Sequence, residues 1–218
     1  MLVLALDTSS AAVSTAIVEL SGRTATPRAH ERTINPRGHG EYLTPLIARC
    51  LRDARATPKD LDAIVAGVGP GPYTGLRVGL VTAAVLSETR GIPAYGVCSL
   101  DGIAGALDER RLVVASDARR HEVYWARYQD GERTHGPEVA HPEDVPTDGV
   151  MAMAGAGARR YQDVLGLPLI DRDFPDPVAL VRATADRITA SAPADPLTPL
   201  YLRRPDAVAP GARKQVTP

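Results

Sequence analysis

The chain repeats its own opening halfway along, and no other feature restricts its fold as much. Shifted by 110 positions, Leu2, Val3, Ala5, Asp7, Val13 and Ala16 coincide with Leu112, Val113, Ala115, Asp117, Val123 and Ala126, without a gap. Each half therefore opens as a buried strand, an Asp, a polar turn and an alternating strand. A second echo pairs Ala66-Gly67-Val68-Gly69 with Ala154-Gly155-Ala156-Gly157, each after an apolar strand and before a helical pattern. Self-similarity of this kind is an architectural signal, and it predicts an α/β chain of two related lobes.

The expected elements follow from local pattern. Leu2 to Asp7 is a strand, and strands through Leu20 and Ile34 follow it. Leu43, Leu46, Ile47, Cys50, Leu51 and Ala54 recur at spacings of three and four, which predicts an amphipathic helix over Tyr42–Ala54. Pro45 fits it only in the first turn and otherwise kinks it. Thr57-Pro58-Lys59-Asp60 carries a helix-start signature. A strand over Ala63–Ala66, a helix Thr74–Arg90, a strand Ala94–Cys98 and a helix Ser99–Glu109 complete residues 1–109. This first lobe is expected to carry the dimerisation helices. Residues 110–202 make the shortened second lobe, with helices near Ala158–Leu165 and Pro177–Ala190. The segment 203–218, rich in proline, alanine and charge, reads as a flexible tail. Three strands, helix, strand, helix, strand, helix, written twice, is the actin-like ATPase order (ASKHA, ribonuclease H-like). In that architecture the turns at Asp7 and Asp117 face a nucleotide in the cleft between lobes.

Between strand and long helix lies Gly67-Val68-Gly69-Pro70-Gly71-Pro72-Tyr73-Thr74-Gly75-Leu76-Arg77-Val78-Gly79. Glycine and proline fix a tight turn, and Thr74 stands where an N-cap belongs. The loop either presents backbone N–H groups to phosphate or carboxylate, or needs glycine for sterics alone. It is not a Walker A loop, because Leu76 and Arg77 follow Gly75 in place of Lys and Ser/Thr. Nor is it a dinucleotide fingerprint, because Pro72 holds the third glycine position and no acid follows the next strand. On the long helix, Gly75, Gly79, Ala83 and Ser87 recur every four residues and leave one face nearly free of bulk. Interior glycines cost about 1 kcal/mol each against alanine, so this stripe needs a close contact. The expectation is that this stripe, or its flank, meets helix Tyr42–Ala54 and the equivalent helices of a second subunit.

A net charge of −1 over 218 residues argues against broad nucleic-acid binding. Only Lys59 and Lys214 are lysine, so the positive charge is arginine and local clamps remain open. Cys50 and Cys98 sit in apolar patterns and read as buried, reduced thiols. The short N-terminal apolar run reads as a strand and no run reaches membrane-spanning length, so a cytoplasmic protein is expected. The histidines, His30, His39, His121, His135 and His141, contain no pair four apart, and no metal is expected. Asp7 and Asp117 can ligate magnesium or act as a base, or can cap their own turns, which is the commoner use. Neither turn has the glycine that lets backbone approach phosphate: Thr8-Ser9-Ser10 follows the first Asp, Ala118-Arg119-Arg120 the second. The two guanidinia of Arg119 and Arg120 are either a partner's clamp or a solvated turn.

Leu6-Asp7-Thr8-Ser9, Gly38-His39-Gly40-Glu41, the glycine loop, Ser99-Leu100, Asp117 to Tyr124 and Pro199-Leu200-Tyr201-Leu202-Arg203 together resemble the bacterial TsaB (YeaZ) family in order and over nearly the whole chain. Pro72-Tyr73 replaces the family's usual Ser-Phe, and Gly40 its frequent Ser. The resemblance implies a non-catalytic scaffold in forming N6-threonylcarbamoyladenosine at tRNA position 37. It implies pairing with the catalytic subunit TsaD and recruitment of the ATPase TsaE. TsaC supplies the intermediate, the chain forms a homodimer when alone, and tRNA contact is indirect or weak. ATP or ADP is expected only at a composite site with partner subunits. The implied loop for nucleotide or partner is Asp7, Thr8, Gly69, Pro70, Gly71, Tyr73, Thr74, Gly75 and Arg77, with no catalytic residue. The implied dimer interface is Tyr42, Leu43, Leu46, Ile47, Cys50, Gly75, Gly79, Ala83 and Ser87. A self-sufficient actin-like kinase or carbamoyltransferase is the alternative. A peptidase is more remote, since no nucleophile elbow is present.

Overall fold

A computed structural model describes residues 1–203 as an α/β molecule with two sheets. The first contains β1 (Leu2–Asp7), β2 (Ala12–Ser21), β3 (Thr24–Ile34), β4 (Ala63–Gly67) and β5 (Ala94–Val97), ordered β3-β2-β1-β4-β5. The second contains β6 (Arg111–Asp117), β7 (Val123–Gln129), β8 (Glu132–Ala140) and β9 (Ala152–Ala154), ordered β8-β7-β6-β9. In both, three strands run antiparallel and the fourth lies parallel to the first on its other side. The helices are α1 (His39–Asp53), α2 (Tyr73–Arg90), α3 (Ser99–Ala104), α4 (Ala156–Arg160), α5 (Gln162–Leu165) and α6 (Pro177–Thr189).

Strand alternation sorts the core. From β1, Leu4 and Leu6 join Ile64 and Ala66 against Leu43 and Leu46 of α1 and Leu76 and Leu80 of α2. Val3 and Ala5 point the other way, with Val65 and Tyr95, onto Val178, Leu180, Val181 and Ile188 of α6. A strand buried on both faces needs the unbroken apolar run that Leu2–Leu6 supplies. In the second sheet, Leu112 and Val114 face Leu100 and Ile103 of α3, while Val113 and Ala115 face Ala158 of α4 and Leu165 of α5. The short helix α3 thus lies between the lobes.

Several expectations need correction. Helix α6, read as part of the second lobe, covers the first sheet, and the chain after it stays there as far as Leu200. Asp195 donates its backbone N–H to Ala94 O (3.1 Å), and Leu200 donates to Val68 O (2.8 Å). This segment covers the β5 edge, which otherwise presents unpaired backbone. Helix α2 begins at Tyr73, not Thr74. Leu76 N–H already bonds Pro72 O at 3.0 Å, so Pro72 is the N-cap and Thr74 an exposed first-turn residue. Pro45 lies beyond the first turn of α1 with its ring exposed. Helix α3 stops at Ala104, capped by Gly105, whose N–H bonds Asp101 O. The expected helix over Ala158–Leu165 is broken at Tyr161 (φ −115°). The expected tail falls outside the described residues except for Arg203, which donates to Ala118 O and pairs with Glu122.

Candidate functional site

The C-terminal end of β1 turns into a sealed polar knot. Asp7 is 1% exposed, and its Oδ1 accepts from Ser9 N (2.9 Å) and Ser9 Oγ (2.8 Å). Its Oδ2 accepts from Ser99 Oγ at 2.5 Å, and that oxygen accepts in turn from Gly69 N–H at 3.1 Å. Burial pushes the Asp7 carboxyl above its ordinary value, while the Ser99 and Ser9 hydrogen bonds and His39 pull it back. The glycine loop is packed onto the same knot: a Cβ on Gly71 would overlap the Ser9 carbonyl. Of the two readings of the loop, geometry supports the steric one at Gly71.

Thr8 explains the small residues of α2. Its hydroxyl donates to Gly75 O (2.8 Å) and accepts from Gly79 N–H (3.0 Å), standing beside one turn of the helix. A Cβ on Gly79 would come within 2.5 Å of that hydroxyl oxygen, and one on Gly75 within 3.1 Å of His39 Nε2. The small stripe therefore faces its own chain. Leu43, Leu46, Ile47, Cys50, Gly75, Gly79 and Ala83 are all buried inside the molecule. Ser87 is half-buried and donates to Ile92 O, and Tyr42 is half-buried. For the seven buried residues the expectation of a dimer surface is corrected, because packing within the chain already encloses them. The outer face of α2 carries Tyr73, Thr74, Arg77, Val81, Ala84 and Val85 instead. There Tyr73 stacks on Tyr201 (centroids 5.2 Å apart), and Arg77 lies 4.1 Å over the Tyr73 ring while donating to Tyr201 Oη at 3.1 Å.

After β6 the equivalent turn is open. Asp117 Oδ1 accepts from Arg119 N–H (3.2 Å), as Asp7 accepts from Ser9, and Oδ2 accepts from Arg160 at 3.3 Å. Arg119, Arg120 and His121 are consecutive left-handed residues with φ of 61°, 51° and 62°. Each costs about 1–2 kcal/mol in that region. Ala118 N–H to Glu122 O and Glu122 N–H to Arg119 O close the turn.

Between the two turns runs a cleft of about 1020 Å³. Pro70, Gly71, Tyr73, Thr74 and Gly75 of the expected loop reach it. Asp7, Thr8 and Gly69 lie buried beneath, and Arg77 is turned onto Tyr73 and Tyr201. Residues that local pattern did not single out complete its walls: Arg37, Ile103, Arg160 and Phe174. No short-range signal marks them, since they come from four separate connections and elements. His39 Nε2 sits 2.7 Å from Ser10 O and is thereby engaged locally. Burial pushes both thiols, Cys50 and Cys98, up to about 12, so they are unreactive at neutral pH. Among the described residues no group of three His, Cys, Asp or Glu side chains is placed to hold a metal ion, and no helix is long and apolar enough to cross a membrane.

Comparison with known proteins adds the following. Residues 29–166 match the family model described as TsaD: tRNA N6-adenosine threonylcarbamoyltransferase. The chain is 47% identical to an uncharacterized protein of Mycobacterium leprae over 94% of its own length and 56% of that protein, so it spans little more than half of that relative. It is 32% identical to the tRNA threonylcarbamoyladenosine biosynthesis protein TsaB of Escherichia coli, covering 82% of this chain and 83% of that one. The structure of YeaZ from Pseudomonas aeruginosa superposes with a TM-score of 0.78 at 28% identity, over 92% of this chain and all of that one.

Proposed function

The chain belongs to the TsaB (YeaZ) family, and from that premise we propose that it is a non-catalytic scaffold subunit in forming threonylcarbamoyladenosine on tRNA. In this reading it docks TsaD through the outer face of α2, joins TsaE in the assembly, and receives nothing from TsaC directly. The two lobes are a duplicated actin-like unit whose first phosphate-facing turn has been filled. The shared strand order and the matching Asp7 and Asp117 turns support this.

One observation carries the docking role. Val81 and Val85 are 59% and 54% exposed on α2, next to Ala84 and half-buried Val78, with no described element over them. An exposed apolar ridge on the outer face of a helix is a contact surface for another chain. The same ridge serves a homodimer when the chain is alone, so TsaD and a second copy compete for it. ATP or ADP is held jointly with partner subunits, because the donors that surround the Asp7 carboxylate are already engaged by it. With near-neutral charge, the chain's own contact with tRNA is weak.

Reconstitution tests the reading. TsaC, TsaD and TsaE are combined with tRNA, ATP and threonine, with and without this chain, and modified adenosine is measured. The modification is expected only in the full set, and Val81→Lys/Val85→Lys is expected to abolish it while leaving the melting temperature unchanged. Modification by this chain alone, or undiminished activity of the double variant, rejects the proposal.

A further inference from the structure

Helix α3 is fastened to the first lobe at several points. Ser99 Oγ donates to Asp7 Oδ2, and Ser99 N–H donates to Gly69 O at 2.7 Å. Gly102 O accepts from the N–H of Asp176, the N-cap of α6, at 3.0 Å. A Cβ on Gly102 would stand 2.8 Å from Leu180 Cδ2, so α3 and α6 are in close contact. Toward the second sheet, α3 sets Leu100, Ile103 and Ala104 against Leu112, Val114 and Tyr128. Apolar contact is non-directional and lets packed layers slide. A polar contact crosses the same boundary and has a direction. Asp101 Oδ1 accepts from Tyr128 Oη at 2.8 Å and pairs with Arg133 Nε at 3.0 Å. Tyr128 and Arg133 are cross-strand partners on β7 and β8, so one face of the second sheet supplies both donors. Tyr128 is buried, and Arg133 Nη1 donates to Gly136 O at 2.9 Å, which steadies the guanidinium. Burial pushes the Asp101 carboxyl up, while Arg133 and the Tyr128 hydrogen bond pull it back, so both donors favour its charged form. Separating them would strand a charge away from water, which costs far more than sliding one apolar layer on another.

We propose that Asp101, Tyr128 and Arg133 are an interlobe clasp that holds the two lobes in one orientation. Rotation of the second lobe has to carry Tyr128 and Arg133 together away from a carboxylate whose helix is anchored to the first. The cleft between the lobes therefore keeps one width instead of opening and closing. Arg203 makes a second crossing, to Ala118 O and Glu122, from the last described residue. The clasp uses no residue of the outer α2 ridge and does not rest on the scaffold reading: either can fail alone.

Spin labels at Thr24→Cys and Gln162→Cys, exposed positions of the first and second lobes, report the interlobe distance in the full-length protein by pulsed dipolar spectroscopy. Cys50 and Cys98 are buried, with thiols pushed up to about 12, so the label goes to the introduced sites. A single narrow distance is expected in this parent. Tyr128→Phe/Arg133→Gln is expected to shift or widen it by roughly 2–5 Å. Arg110→Gln, which removes an exposed ion pair with Asp130 inside the second lobe, is expected to leave it as it was. Should the double variant melt early, Tyr128→Phe and Arg133→Lys, each alone, serve in its place and are expected to widen the distribution. A broad distribution in the parent overturns the proposal. So does an unchanged distance in the clasp variants, or an equal change in Arg110→Gln.

Discussion

The turn after β1 and the turn after β6 share a hydrogen-bond pattern and differ in everything around it. Each begins with an Asp whose Oδ1 accepts from the backbone N–H two residues on. At Asp7 the second oxygen meets Ser99, the glycine loop closes over the knot, and water is excluded. At Asp117 the second oxygen meets an exposed arginine and three left-handed residues hold the turn open to the cleft. The same local motif is thus a core element in one lobe and a surface element in the other. What decides is the neighbour: α2 with its small stripe can sit directly on the first turn, and no described element of that length covers the second.

Removing the carboxylates should break the comparison most clearly. Asp7→Ala orphans the Ser9 N–H and both serine hydroxyls in a dry site, for an expected loss of about 3 kcal/mol, whereas Asp117→Ala loses about 1 kcal/mol or less. Urea unfolding of both variants measures the gap, and equal losses would mean that the first turn is not sealed. Thr8→Val keeps the volume but removes the hydroxyl between Gly75 O and Gly79 N–H. It is expected to cost about 1–2 kcal/mol in the same assay, with no change in self-association.

A pH series sharpens the contrast further. Burial raises the Asp7 carboxyl, so the folded chain holds that proton more tightly than the unfolded chain, whose value is near 3.8. The resulting stability is complete below the unfolded value and fades as pH rises through the folded one. The stability of the wild type relative to Asp7→Asn should therefore shrink from about pH 4 upward. A difference that grows with pH contradicts the burial argument. The smallest effect is expected in the open turn. His121→Gly relieves one left-handed residue and should raise stability by about 0.5–1 kcal/mol, read as a higher urea midpoint.

How far the sequence could be read depended on distance along the chain. The run Leu2–Leu6 announces a doubly buried strand, and the spacing of Leu43 to Cys50 announces the inner face of α1, because both signals are local periodicities. The four-residue stripe of α2 correctly demands a close contact, yet it does not say with whom. The answer is Thr8, 71 positions before Gly79, and no periodicity connects them. Ser99 reaches Asp7 across 92 positions in the same way. Thr74 looks like an N-cap by residue type, but the carbonyl of Pro72 starts the helical ladder first. The cleft wall was visible only as scattered residues, since Arg37 and Arg119 stand on connections of different sheets and line one cavity only in the fold.

Helix α6 has a consequence for how the chain is made. It covers one whole face of the first sheet, yet it follows every strand of both sheets in sequence. On a ribosome, Val3, Ala5, Val65 and Tyr95 stay uncovered until residues near 188 have emerged, long after their own strands could pair. A nascent chain halted at residue 109 would hold a bare apolar sheet, so the halves cannot be released as two self-contained pieces, and a helix made after both sheets is the one that renders the first-made sheet safe from aggregation.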